Sequence, residues 1–235
     1  MTDRHIIALG GGRAFAQGDS DPFRAYMFEL TGKERPDVLL IHTATGDTDI
    51  IAATQMRQLS LLGCRGDYLP LFERTPRDLT AYVMDYDLVW VGGGNTKSML
   101  AVWREWELDK SLRTAYENGV VMAGTSAGAI CCFEHCCTDA WEDRMDLIPC
   151  LGWLKGAMSP HYNSEADRRP TYQHMFQAGQ LNYGYAADDC AFLHFKNETF
   201  AGAFTYKPDA KVYTLDTTRE QLEMAQETVL LKTQG

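Results

Sequence analysis

Four stretches of the chain are apolar at consecutive positions and then meet turn signals: HIIALGGG at 5–12, DVLLIHTA at 37–44, LVWVGGGN at 88–95 and VVMAGTSAG at 120–128. Strands with one wet face alternate apolar and polar residues. Short runs without that alternation suit strands of a parallel sheet covered on both sides. Between them the apolar spacing turns helical. In DIIAATQMRQLSLLGC, Ile51, Met56, Leu59 and Leu62 fall near one helix face, and Gly63 can end the helix. Residues 96–106 and 110–118 read the same way, with Asn95 or Thr96 as a cap and Gly119 as a stop. Alternating strands and helices predict an α/β fold, a doubly wound and mostly parallel sheet flanked by helices, whose ligands sit at the carboxyl ends of the strands.

Beyond about residue 135 the pattern changes. CAFLHF at 190–195, TFAGAFTY at 199–206 and AKVYTLD at 210–216 are close together and joined by short polar turns, as antiparallel strands are. They are expected to extend the sheet at one edge. No linker or low-complexity segment divides the 235 residues, so one domain, 1–235, is expected.

Gly124-Thr125-Ser126-Ala127-Gly128 satisfies G-x-S-x-G directly after a predicted buried strand and before AICCFE, which can start a helix. A serine on such an elbow needs small neighbours because it occupies unfavourable backbone space. The bland alternative is a serine that caps a helix. A nucleophilic serine also needs a base. Of six histidines, His5, His42 and His194 read as strand or rim residues, His174 as helical, and His135 as carried away from Ser126 by helix geometry. His161 lies in MSPHYNSE, where Pro160 forces Ser159 out of helical space and suggests a loop. An acid must orient the imidazole. Asp139, Glu142, Asp143, Asp146 and Glu165 are available, and Ser126…Asp139…His161 matches the Ser…acid…His order of many α/β hydrolases. Oxyanion donors are expected at Ala127 N–H and, from VGGGNT, at Gly94 N–H. ALGGGRAF lacks the third glycine of G-x-G-x-x-G, since Phe15 stands there, and argues little for a dinucleotide.

Charge narrows the partners. With 22 basic and 32 acidic side chains the net charge is −10, which disfavours nucleic-acid backbones and requires a local basic site for an acidic substrate. No apolar run reaches membrane-span length and MTDRHIIALGGGR has no secretory h-region, so a cytoplasmic protein is expected. Seven cysteines make an odd count, and Cys131, Cys132, Cys136 and Cys137 are too close for a disulfide framework. They read as reduced, buried thiols. Adjacent pairs lack C-x-x-C spacing, so no metal site is expected from CCFEHCC. The sequon at Asn197 reads as a turn between strands.

VGGGNT, GTSAGA, TDA and SPHY in this order resemble the dipeptidase E and cyanophycinase family of serine peptidases, over nearly the whole chain. The resemblance implies a fold similar to class I glutamine amidotransferases, with serine in place of their cysteine. It implies Ser126 as nucleophile, His161 as base, Asp139 as charge-relay acid and Gly94 at the oxyanion hole. Glu165 is the alternative third member. Dipeptidase E members release N-terminal aspartate, and an arginine after the histidine is thought to hold that carboxylate. Here EADRRP supplies Arg168 and Arg169, with Arg169 favoured, and Asn95 joins the substrate-binding set. The loop HYNSEADRRP departs from the longer glycine-containing loop of the aspartyl dipeptidases, which bears on aspartate preference. The expectation is a cytosolic serine peptidase acting on small peptides, without metal or cofactor, with a homodimer among its compatible states. A non-catalytic ligand-binding protein and an esterase-like hydrolase are the alternatives.

Overall fold

The computed structural model describes residues 2–15 and 20–232. Its strands are β1 (His5–Leu9), β2 (Val38–Ile41), β3 (Gly66–Tyr68), β4 (Leu88–Val91), β5 (Val121–Thr125), β6 (Phe133–Thr138), β7 (Asp146–Pro149), β8 (Leu154–Ser159), β9 (Tyr183–Ala187), β10 (Ala191–Lys196), β11 (Thr199–Thr205), β12 (Val212–Asp216), β13 (Glu223–Ala225) and β14 (Thr228–Leu230). Its helices are α1 (Asp21–Thr31), α2 (Asp49–Leu61), α3 (Leu79–Met84), α4 (Thr96–Glu105), α5 (Leu108–Glu117), α6 (Ala127–Ile130) and α7 (Arg168–Gln177).

The four apolar runs become β1, β2, β4 and β5 of an eight-stranded sheet ordered β14-β11-β10-β1-β5-β4-β2-β3, in which β1, β5, β4, β2 and β3 are parallel. Both faces are covered, which is why these strands do not alternate. Ile6, Leu39, Val89 and Met122 face a core shared with α3, α4 and α5, while Ile7, Leu40, Trp90 and Val121 face Phe23 and Met27 of α1 and Leu59 of α2. β10 and β11 pair antiparallel beside β1 and extend the sheet as expected. Asn197 and Glu198, both at positive φ, form the turn between them.

Two expectations change. First, β12 leaves this sheet and pairs with β9 in a second sheet of six strands, ordered β13-β12-β9-β8-β6-β7. One face of it joins the core under the first sheet through Cys136 and Met158. The other packs Cys137, Ala157 and Ala186 against Tyr172, Met175 and Phe176 of α7. Second, the helix after the elbow stops at Ile130, and CCFEHCC runs into β6. The reason is tertiary: the carbonyls of Cys131, Cys132 and Phe133 accept from Leu151, Leu154 and Gly152 at 2.9–3.0 Å, which removes the acceptors a longer helix would use. Cys136 and Cys137 therefore face opposite cores. The hydrogen bond with Cys150, together with burial, pushes the Cys136 thiol well up from its usual range, and burial pushes Cys137 up to about 11. All seven cysteines are free thiols, and no described helix is long and apolar enough to cross a membrane.

Candidate active site

The carboxyl ends of β1, β2, β4 and β5 open into a cleft of about 810 Å³, walled on one side by α2 and containing Ser126 and His161. Ser126 follows β5 at φ 51° and ψ −117°, a backbone conformation costly for a residue with a side chain, and its hydroxyl caps nothing. The fold holds it there. Its N–H donates to Leu9 O of β1 at 3.1 Å, and its carbonyl accepts from Ala129 and Ile130. The two elbow glycines are required by contact: a Cβ on Gly124 would meet Gly128 O at 2.3 Å, and one on Gly128 would meet Val91 O at 2.3 Å. This is a strained elbow rather than a helix cap.

His161 arrives from the second sheet. β8 ends at Ser159, and the loop after Pro160 is pinned to the first sheet by His161 N–H donating to Gly10 O at 3.1 Å. The imidazole lies between Ser126 Oγ, 2.9 Å from Nε2, and Asp189 Oδ1, 2.7 Å from Nδ1. A carboxylate only accepts, so Nδ1–H donates to Asp189 and Nε2 is left to accept the serine hydroxyl. The His161 hydrogen bond holds the Asp189 carboxyl below the usual range against the opposing effect of burial. Asp189 is itself positioned by its N–H, which donates to Asn163 Oδ1 at 2.9 Å.

Asp139 is not the partner of His161. It stands half-exposed at the end of β6, 3.4 Å from Arg168 Nη2, because the chain after the elbow departs along the second sheet instead of doubling back. Glu165 is not the partner either, since it accepts from Arg168 Nε at 2.8 Å. Asp189 occupies the turn between β9 and β10, where the chain passes from the second sheet to the first. The signal for it was AADDC, an acidic pair between two apolar runs, in a Ser…His…Asp order that the hydrolase precedent excluded.

The remaining predicted residues separate. Arg168 is fully buried, with Nη1 donating to Cys137 O at 3.1 Å, so it holds the second sheet and not a substrate. Arg169 pairs with Glu223 and lies over the rings of Tyr162 and Tyr213, where it fastens α7 to β12 and β13. Asn95 caps α4 through Ser98 N–H at 2.9 Å and donates to Ala140 O at 3.1 Å, so both ends of its amide are engaged. None of the three lines the cleft. In VGGGNT, Gly92 and Asn95 N–H are taken by Ile41 O and Ala44 O, which leaves Gly93 and Gly94 as the loop's donors; Gly93 packs against Ser126. Ala127 N–H, first in α6, has no intrahelical acceptor. ALGGGRAF has a packing purpose: a Cβ on Gly11 would stand 1.9 Å from Asp189 Oδ1 and 2.5 Å from His161 Nδ1. Among the described residues no group of three or more His, Cys, Asp or Glu side chains could hold a metal.

Residues 6–202 match the sequence profile of peptidase family S51. The chain belongs to peptidase family S51. The Bacillus subtilis (strain 168) protein named uncharacterized peptidase YgaJ is 40% identical over 210 residues, 89% of this chain and 91% of that one. Among solved structures, a peptidase from an acI-B1 actinobacterium superposes with a TM-score of 0.73 at 17% identity, covering 96% of this chain and 94% of its own. A Listeria monocytogenes EGD-e protein named as a peptidase E candidate gives a TM-score of 0.62 at 16% identity, covering 85% and 97%. Both share the fold of this S51 peptidase.

Proposed function

We propose that this S51 peptidase is a serine peptidase that cleaves short peptides through an acyl-enzyme. One observation carries the reading: a serine at φ 51°, its hydroxyl 2.9 Å from an imidazole whose far nitrogen is 2.7 Å from a carboxylate. Ser126 Oγ attacks the scissile carbonyl as His161 Nε2 takes its proton, and Asp189 fixes the tautomer and stabilises the imidazolium. The negative charge on the tetrahedral oxygen falls to Ala127 N–H and Gly94 N–H, with Gly93 N–H beside them. His161 then gives its proton to the leaving amine, and water, deprotonated by the same imidazole, releases the acyl group. The geometry supports each of these roles, and family membership supports the peptide bond as the target.

The test pairs labelling with turnover. A fluorophosphonate should label the wild type at Ser126 and leave Ser126→Ala unlabelled, and a dipeptide library should show turnover that Ser126→Ala lowers by about 10,000-fold or more. Undiminished hydrolysis by the variant removes Ser126 as nucleophile.

A further inference from the structure

Among the described residues the cleft lining carries one formally charged side chain, Arg13, and no acid. In a chain of net charge −10 this is a local reversal of sign. Arg13 is exposed, and its guanidinium has neither a hydrogen bond nor an ion pair among the described residues, whereas Arg168 and Arg169 are both engaged. Its position in the loop after β1 gives it a side of the cleft. Two residues earlier, Gly11 packs against the His161 imidazole. One residue earlier, Gly12 O accepts from Thr125 Oγ1 at 3.2 Å, next to the nucleophile. Arg13 therefore follows directly on backbone that touches the imidazole and the residue before the nucleophile, which points it to the His161 side of Ser126.

That side is where the leaving group must sit, because His161 Nε2 delivers its proton to the departing amine. When the substrate ends one residue past the scissile bond, that amine and a free carboxylate are separated by a single Cα. A guanidinium on a long side chain matches a carboxylate in charge and in its paired donors. The other described residues of the lining include no lysine or second arginine.

We infer that Arg13 binds the terminal carboxylate of the released residue, so that the cleft selects peptides ending one residue beyond the cleaved bond. This rests on the serine-peptidase reading. What is new is the assignment of the chain end to Arg13, whatever side chain precedes the bond.

The experiment uses the full-length protein and two matched pairs: Ala-Leu against its C-terminal amide, and Asp-Leu against Asn-Leu. The wild type should prefer the free acid over the amide by roughly tenfold to a hundredfold in kcat/KM, expressed mainly in KM. Arg13→Gln should bring that ratio close to one, and Arg13→Lys should retain part of it. The proposal is overturned by a wild-type ratio near one, by a ratio that Arg13→Gln leaves intact, or by Arg13→Gln erasing the Asp-Leu over Asn-Leu preference alone. The last result would place an acidic side chain, not a chain end, at Arg13. Calorimetry of the acid and amide on Ser126→Ala reads the same ratio in Kd without turnover. If the wild type cleaves no peptide, the catalytic reading falls while that binding ratio still decides Arg13.

Discussion

The two sheets divide the proposed chemistry between them. The first supplies the nucleophile and the oxyanion donors from loops at the ends of parallel strands, so Ser126 is held by neighbours on β1 and β4. The second sheet supplies the imidazole from the end of β8 and the carboxylate from the end of β9. The first is buried by helices on one face and by helices and the second sheet on the other; the second sits between that shared core and α7. A site built at the seam depends on the register of both, and on β1 most of all, since β1 contacts the elbow through Leu9 and the His161 loop through Gly10.

Substitutions can separate the two contributions. The largest effect should follow Asp189→Asn, which keeps the shape but no longer enforces the tautomer with Nδ1 protonated. A fall of about 1,000- to 10,000-fold in kcat is expected, against about twofold or less for Asp139→Asn at its half-exposed site. Steady-state kinetics on one dipeptide decides between them, and the reverse ranking would return the acid to β6. Next comes Gly11→Ala. The added methyl has nowhere to stand beside Asp189 Oδ1 and His161 Nδ1, and displacement of either should cost about a hundredfold in kcat with little change in melting temperature. A loss of folding in place of activity would show that the two sheets are less independent at β1 than the geometry indicates.

The smallest effect concerns the first sheet alone, at the end of β1 opposite the site. His194 on β10 accepts or donates at 2.9 Å to His5 on β1 and at 2.7 Å to Tyr26 of α1, and burial pulls its pKa from 6.5 down to about 4. The unfolded chain therefore binds the proton first as pH falls. Stability from this group is full above pH 6.5 and is lost as pH falls toward 4, by about 2 kcal/mol between pH 7.5 and pH 5. Urea midpoints at those two values should differ less in His194→Gln than in wild type. Equal differences would assign the pH dependence to other groups.

Legibility in the sequence followed the same division. Residues whose position depends on their own strand and turn were readable. The four apolar runs, the elbow and His161 after Pro160 all belong to that kind, because a covered strand, a strained turn and a proline each leave a local mark. Asp189 left only the acidic pair of AADDC, too weak a mark to single it out, since its place is set by β9 pairing with β8 and β10 pairing with β1, contacts between distant parts of the chain. The helix expected through CCFEHCC failed for the related reason that residues 151–154 claim its carbonyls. Arg168 and Arg169 are adjacent in sequence and look equivalent there; burial of one and the exposed pairing of the other are properties of α7 and the second sheet.

The turn that carries Asp189 has a further consequence for how the protein comes into being. The nucleophile is 63 residues nearer the N-terminus than its acid. A fragment that stops between residues 130 and 188 contains the whole elbow sequence but not Asp189, which orients the imidazole. Under the proposed mechanism, hydrolytic power is thus a report of completion: it exists only in a chain long enough, and folded far enough, to have exchanged one sheet for the other.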